Sequence, residues 1–121
     1  MKRLIHSFRY AGEGVWYALR TQANLRIHLA FTVLVVIAGL WLQLIPIEWA
    51  ILVVMISVVM SAELFNTALE ATLDRVSQEE HPLAKVGKDV AAGAVLICAL
   101  GSVLVGLLIL GPKLLAVIGL H

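Results

Sequence analysis

The sequence predicts an all-α membrane protein, in which an N-terminal amphipathic surface helix precedes three transmembrane helices. Its 121 residues are 61% hydrophobic and 14% charged, with a mean hydropathy of +0.98, which is too apolar for a soluble domain. Long charge-free stretches alternate with short polar segments. No internal repeat or change of composition divides the chain, so residues 1–121 are interpreted as one domain.

The first two segments differ in how their apolar residues are distributed. Residues 1–24 place Leu4, Phe8 and Leu19 along one helical stripe, with basic residues among the remaining positions. This pattern is typical of a helix that lies on a membrane surface. Residues 27–47 contain no Lys, Arg, Asp or Glu and are about as long as a hydrocarbon core requires. They predict the first transmembrane helix.

A polar stretch separates the second and third membrane-spanning segments. Residues 49–74 predict the second transmembrane helix, which follows a tight external turn around Pro46. Residues 77–88 predict a cytoplasmic loop that holds at most one turn of helix. Residues 89–111 predict the third transmembrane helix, with Pro112 as its stop because proline interrupts helical hydrogen bonding.

The positive charges predict the orientation of the chain. All but one of the nine Lys and Arg residues fall on one side of the predicted topology, and Lys113 alone falls on the other. Since Lys- and Arg-rich loops stay cytoplasmic, the N-terminus and the second loop are expected inside. The net charge of +1 gives no reason to expect a nucleic-acid partner. The inside set is Lys2, Arg3, Arg9, Arg20, Arg26, Arg75, Lys85 and Lys88.

A polar stripe lies on the predicted second transmembrane helix. At 100° per residue, Glu63, Asn66, Glu70 and Asp74 fall within an arc of about 80° on one helical face. An unpaired carboxylate inside a membrane span costs roughly 2.5 kcal/mol or more. The stripe is therefore a candidate functional site, with its charged end toward the cytoplasm.

Spacing alone leaves three functions open for this stripe. Two carboxylates with an amide between them, near Lys88 and Asp89, could hold Mg²⁺ and a polyphosphate, because Mg²⁺ often takes one or two carboxylates together with phosphate oxygens. Chains of Asp and Glu on transmembrane helices also occur in proton-coupled transporters. A purely structural hydrogen-bond network between helices is the third possibility.

Three segments carry a resemblance to a known family. Residues 63–75 read Glu-Leu-Phe-Asn-Thr-Ala-Leu-Glu-Ala-Thr-Leu-Asp-Arg, and residues 81–96 read His-Pro-Leu-Ala-Lys-Val-Gly-Lys-Asp-Val-Ala-Ala-Gly-Ala-Val-Leu. With residues 24–28, Asn-Leu-Arg-Ile-His, and Gly14, these resemble the bacterial integral-membrane diacylglycerol kinase and undecaprenol kinase family. The resemblance implies a lipid kinase of the bacterial plasma membrane, active at the cytoplasmic face as a homotrimer with active sites shared between subunits.

The resemblance also implies roles for individual residues. Glu63 is expected to be the general base that accepts the proton of the lipid hydroxyl, and Glu70 a ligand to the Mg²⁺ that accompanies ATP, the co-substrate. Asn66 and Asp74 are expected to orient the base and support the phosphate site. His6 and His28 are expected only at the membrane interface. The remaining implied nucleotide contacts are Arg3, Tyr10, Glu79, Glu80, His81, Lys88 and Asp89.

Two features bear on the metal and on the acceptor lipid. Gln22 stands where the family usually has a metal-binding Glu. It is expected to bind the metal through its neutral amide oxygen, which contributes no charge. Family members that act on diacylglycerol tend to carry a Gln and a Trp at the positions of Ile27 and Gly106. The resemblance therefore favours undecaprenol as the membrane lipid alcohol, with diacylglycerol as the alternative.

Overall fold

Four helices make up the described part of the chain. The computed structural model describes residues 1–77 and 80–120, where no strand occurs, and the predicted site residue Glu79 lies outside them. Three of the helices are long and apolar enough to cross a membrane. The predicted all-α class, with one N-terminal helix and three candidate membrane-spanning helices, is confirmed. The helices are α1 (Lys2–Thr21), α2 (Ala23–Trp41), α3 (Pro46–Val76) and α4 (Pro82–Val117).

A short break separates α1 from α2. Gln22 adopts an extended backbone between the two helices. The guanidinium of Arg26 donates hydrogen bonds to the carbonyl oxygens of Leu19 and Arg20, each at 2.9 Å. These are among the carbonyls that the last turn of a helix leaves without a partner. Arg26 therefore caps α1 and holds the start of α2 against its end.

The connection between α2 and α3 begins earlier than the sequence predicted. The first span was expected to reach residue 47, but α2 ends at Trp41 and α3 already begins at Pro46. Proline suits the first position of a helix because its missing N–H would have no partner there. Glu48 then accepts a hydrogen bond from the backbone N–H of Ile45 at 3.0 Å and caps α3.

The turn between α2 and α3 is closely packed. A Cβ atom on Gly39 would lie 2.6 Å from Cη2 of Trp49 and 2.9 Å from Cδ1 of Leu44. We expect Gly39→Ala to displace the indole and to destabilise the protein by about 1–3 kcal/mol, the usual cost of overpacking. Thermal unfolding in detergent micelles measures this loss.

The matched control for this variant is Gly106→Ala. No atom lies within 4 Å of a Cβ built on Gly106, and alanine favours helix more than glycine does. The control should therefore unfold at or above the wild-type temperature. Equal unfolding temperatures for Gly39→Ala and the wild type would contradict the tight packing around Trp49.

The fourth helix is longer than predicted at both ends. It begins at Pro82 rather than at residue 89, because His81 caps it: Nδ1 of His81 accepts a hydrogen bond from the N–H of Leu83 at 3.1 Å. It also continues through Pro112 to Val117, so the predicted stop is wrong. Membrane helices tolerate an internal proline because other groups can satisfy the freed backbone carbonyl.

The packing of the helices leaves much apolar surface exposed. The most extensive contact is between α3 and α4, while α2 contacts α3 over a shorter length. Few described side chains are fully enclosed, and most large apolar side chains of α2, α3 and α4 face outward. Helices that are surrounded by lipid or by other membrane helices present such apolar faces. The buried apolar residues are Ala18, Leu25, Leu44, Leu52 and Val59.

Candidate active site

Glu63 lies on the buried face of α3. Leu52 and Val59 precede it on this face and Thr67 follows it. Only 3% of the Glu63 side chain is exposed, although the residue carries a carboxylate that would cost about 2.5 kcal/mol or more if unpaired in a membrane. The hydroxyl of Thr67 donates to the backbone carbonyl of Glu63 at 2.9 Å and does not reach the carboxylate. The carboxylate needs partners from elsewhere.

His28 supplies one such partner from α2. Its Nε2 lies 3.1 Å from Oε1 of Glu63, within ion-pair distance. The contact lacks hydrogen-bond alignment, so Oε1 remains without a hydrogen-bond partner. The sequence predicted an interfacial position for His28 and did not predict this contact with Glu63. The available signal was an ionisable residue inside an otherwise charge-free predicted span, which is a candidate functional residue by default.

Asn66 lies one turn beyond Glu63 and contacts the next carboxylate. Its Nδ2 donates to Oε1 of Glu70 at 3.4 Å, while its Oδ1 is buried without a partner. Among the described residues, this oxygen and Oε1 of Glu63 are the buried side-chain atoms that lack a hydrogen bond. Both are acceptors, and unsatisfied buried acceptors are uncommon. This part of α3 is therefore suited to receive a hydroxyl or another donor.

Asp74 ends the polar stripe in an ion pair with α4. Its carboxylate contacts the ammonium of Lys88. Gly87 allows the two helices to approach here, because a Cβ on Gly87 would lie 3.1 Å from Cδ1 of Leu73. Asp74 is exposed and Glu70 partly so, whereas Glu63 is buried. The stripe thus runs from an enclosed carboxylate to a solvated end that carries an ion pair.

A groove opens at this solvated end, between α3 and α4. Its volume is about 680 Å³, within the range of small-molecule sites, roughly 300–1,000 Å³. Four predicted site residues line it: Asp74, Glu80, His81 and Lys88. The structure thus brings together residues whose roles were inferred from separate segments of the sequence. The other lining residues are Leu73, Ser77, Pro82, Ala84 and Lys85.

The sequence matches a family model described as prokaryotic diacylglycerol kinase over residues 9–110. The chain belongs to this family. It is 45% identical over 114 residues to the undecaprenol kinase of Bacillus subtilis, covering 94% of this chain and 93% of that protein. It is 49% identical over 114 residues to a diacylglycerol kinase of Synechocystis, covering 93% of this chain and 65% of that protein. A diacylglycerol kinase of Escherichia coli is 31% identical over 102 residues, with 84% of each chain covered.

Family membership decides between the three interpretations of the polar stripe. The protein is a membrane lipid kinase, and ATP is its co-substrate. The transporter and the purely structural interpretations are set aside. A lipid kinase must hold a polar nucleotide and an apolar acceptor at the same time. The groove and the buried carboxylate offer two different environments for these two substrates.

Four other predicted site residues of the lipid kinase have different neighbours. Asp89 pairs with Lys85 at 2.6 Å, and the ring of Tyr10 stacks on that of His6 at a centroid distance of 6.2 Å. The amide of Gln22 is within 3.5 Å of the Thr21 hydroxyl. The carbonyl of Arg3 accepts a hydrogen bond from the Ser7 hydroxyl at 3.0 Å. Nucleotide contacts by Arg3, Tyr10, Gln22 and Asp89 stay predictions.

The donors around Glu70 fit a magnesium ion that draws most of its ligands from the nucleotide. Within residues 1–77 and 80–120, no group of three or more His, Cys, Asp or Glu side chains could hold a metal ion. Glu70 supplies one partly exposed carboxylate beside the amide of Asn66. One or two carboxylates with phosphate and water oxygens are a common Mg²⁺ environment. A metal shared with nucleotide phosphates is compatible with this donor set.

Proposed function

We propose that this protein transfers the γ-phosphate of ATP to the hydroxyl of a membrane lipid alcohol at the cytoplasmic face, with undecaprenol as its preferred acceptor. The strongest support is the buried carboxylate of Glu63, which has an unsatisfied oxygen inside a helix apolar enough to span the membrane. A lipid hydroxyl that enters from the bilayer can donate to this oxygen. The name of the Bacillus subtilis relative supports undecaprenol.

Glu63 acts as the general base. Its carboxylate accepts the proton of the lipid hydroxyl while the hydroxyl oxygen forms a bond to the γ-phosphorus. The bond from this phosphorus to the bridging oxygen breaks, and ADP leaves with the bond electrons. A positioned base of this kind typically contributes about 100- to 10,000-fold to the rate. Asn66 lies between Glu63 and Glu70 and orients the groups on either side.

The groove between α3 and α4 holds the nucleotide. Lys88 offers a compact positive charge to phosphate oxygens, and Asp74, which also lines the groove, pairs with its ammonium. Glu70 and Gln22 would hold Mg²⁺, which when bound would neutralise phosphate charge. Phosphoryl transfer depends mainly on such positioning and charge stabilisation. With a helical rise of 1.5 Å per residue, Glu70 lies about 10 Å along α3 from Glu63, so that ATP can stay in water while the acceptor stays in lipid.

A homotrimer would complete these sites. In one chain, the walls of the groove come from α3, α4 and the residues between them, and large apolar faces of the membrane helices are exposed. Helices of neighbouring subunits can cover such faces and enclose a shared site. The distribution of Lys and Arg supports a cytoplasmic active site.

Acceptor preference distinguishes the two candidate lipids. We expect a higher kcat/KM for undecaprenol than for diacylglycerol when purified protein receives both in mixed micelles with Mg-ATP. The apolar Ile27 and the small Gly106 underlie this expectation, because they stand where family members that act on diacylglycerol tend to carry a Gln and a Trp. Phosphorylated lipid, extracted and separated by thin-layer chromatography, measures both rates.

Two results of this experiment would change the proposal in different ways. Faster phosphorylation of diacylglycerol would reverse the acceptor assignment and leave the kinase intact. Phosphorylation of neither lipid would contradict the proposed reaction.

A further inference from the structure

His28 is the residue from another helix that the described structure brings to the Glu63 carboxylate. Its Nε2 lies 3.1 Å from Oε1, and 25% of its side chain is exposed against 3% for Glu63. An ionised carboxylate only accepts hydrogen bonds, so the imidazole must carry its hydrogen on Nε2 to stabilise this contact.

The position of this imidazole is fixed by the packing of α2. Leu25 lies one turn before His28 and is fully buried, with 1% exposure. Residues three apart lie on the same face of a helix, so Leu25 and His28 both face the packed side of α2. The Nε2 atom is consequently presented to Glu63 by a packed helix and not by a mobile loop.

The incomplete alignment of the contact leaves the carboxylate available. Oε1 of Glu63 has no hydrogen-bond partner although Nε2 is within ion-pair distance. Catalytic hydrogen bonds are often long or poorly aligned before substrate binds, and they tighten in the reacting complex. The imidazole thus lies beside an oxygen that can still accept a hydrogen bond from an acceptor hydroxyl.

We propose that His28 is the positioning residue for the general base. Its Nε2–H holds the Glu63 carboxylate in the orientation that accepts the lipid hydroxyl proton. His28 itself does not contact the reacting atoms. This role rests on the proposed function of Glu63 and adds a residue of α2 to the proposed site.

The test compares an apolar replacement with a donor-bearing one. We expect His28→Leu to lower kcat by about 100-fold, the size of effect that small misplacements of reacting groups produce, with the KM for Mg-ATP unchanged. His28→Gln keeps an N–H donor near the position of Nε2 and should recover most of the turnover. His28→Phe provides a second apolar variant that keeps a ring if His28→Leu does not fold.

The control is Thr32→Val, one turn further along α2. The hydroxyl of Thr32 bonds to the backbone carbonyl of His28 at 2.9 Å, so this change removes a polar group from the same segment without touching the imidazole. Turnover is expressed per mole of folded protein, with nucleotide binding as the check of folding. The control should keep the wild-type kcat.

The outcomes separate this inference from the proposed function. Wild-type kcat in folded His28→Leu or His28→Phe would overturn the positioning role, and so would equal turnover in His28→Leu and His28→Gln. A structural role alone would lower the amount of folded protein and leave turnover per folded molecule unchanged, which also overturns it. Lack of phosphate transfer by the wild type would overturn the proposed function and this inference together.

Discussion

Replacing Glu63 by Gln should reduce phosphate transfer by about 100- to 10,000-fold, the range that a positioned base contributes. The amide keeps the shape of the side chain but cannot accept the hydroxyl proton. Nucleotide binding should persist, because the groove lies at the far end of the stripe, about 16 Å from Glu63 along α3 at the level of Asp74. Initial rates with a lipid acceptor, paired with equilibrium binding of a nucleotide analogue, measure the two properties separately.

The same helix offers a matched control in Glu48→Gln. Glu48 is another carboxylate of α3 and is partly buried, but it pairs with Lys113 at 3.3 Å, at the end of the helix away from the groove. This variant should keep near-normal turnover, with any loss appearing in stability. Full activity in Glu63→Gln, or equal losses in both variants, would remove Glu63 from the role of base.

Replacing Glu70 by Gln should raise the Mg²⁺ concentration needed for half-maximal activity by about tenfold or more. A direct ligand should matter at least this much, because changing residues that only support metal ligands typically lowers metal affinity or activity by about 10- to 100-fold. The change removes the charge of the carboxylate that lies beside Asn66 and leaves an amide of similar size. Activity as a function of free Mg²⁺, at saturating ATP, measures the shift.

Gln22→Glu provides the opposite test of the same metal site. It restores the carboxylate that the family usually has at this position and should lower the Mg²⁺ requirement if Gln22 reaches the metal. A Mg²⁺ dependence that is unchanged in Glu70→Gln would contradict the assignment of Glu70. An unchanged dependence in Gln22→Glu alone would leave Glu70 and the nucleotide phosphates as the ligands and remove Gln22.

The helical content was predictable because a charge-free run long enough to cross a membrane must satisfy its backbone hydrogen bonds internally, and an α-helix does so within one segment. The ends of the helices were less predictable. Pro46 and Pro82 were interpreted as turn and loop residues, whereas both occupy first helical positions. Proline is common at this position as well as in turns. Pro112 was interpreted as a stop, yet α4 continues past it. A proline indicates a helix boundary but not which side of it is helical.

The polar stripe was predictable and its contacts with other helices were not. Helical periodicity alone places Glu63, Asn66 and Glu70 on one face. The ion pair between Asp74 and Lys88 depends on how closely α3 and α4 approach, and the contact of His28 with Glu63 depends on how α2 packs against α3. Such distances depend on how side chains pack between helices, and the periodicity of a single helix carries no information about that packing.

The most direct test of a lipid kinase with Glu63 at its centre follows the labelled γ-phosphate of ATP into the lipid phase. Purified protein in mixed micelles receives Mg-ATP with undecaprenol or diacylglycerol, beside a parallel sample of Glu63→Gln. We predict labelled lipid with the wild type, more from undecaprenol than from diacylglycerol, and almost none with the variant. Absence of label from both lipids with folded, nucleotide-binding wild-type protein would contradict this account.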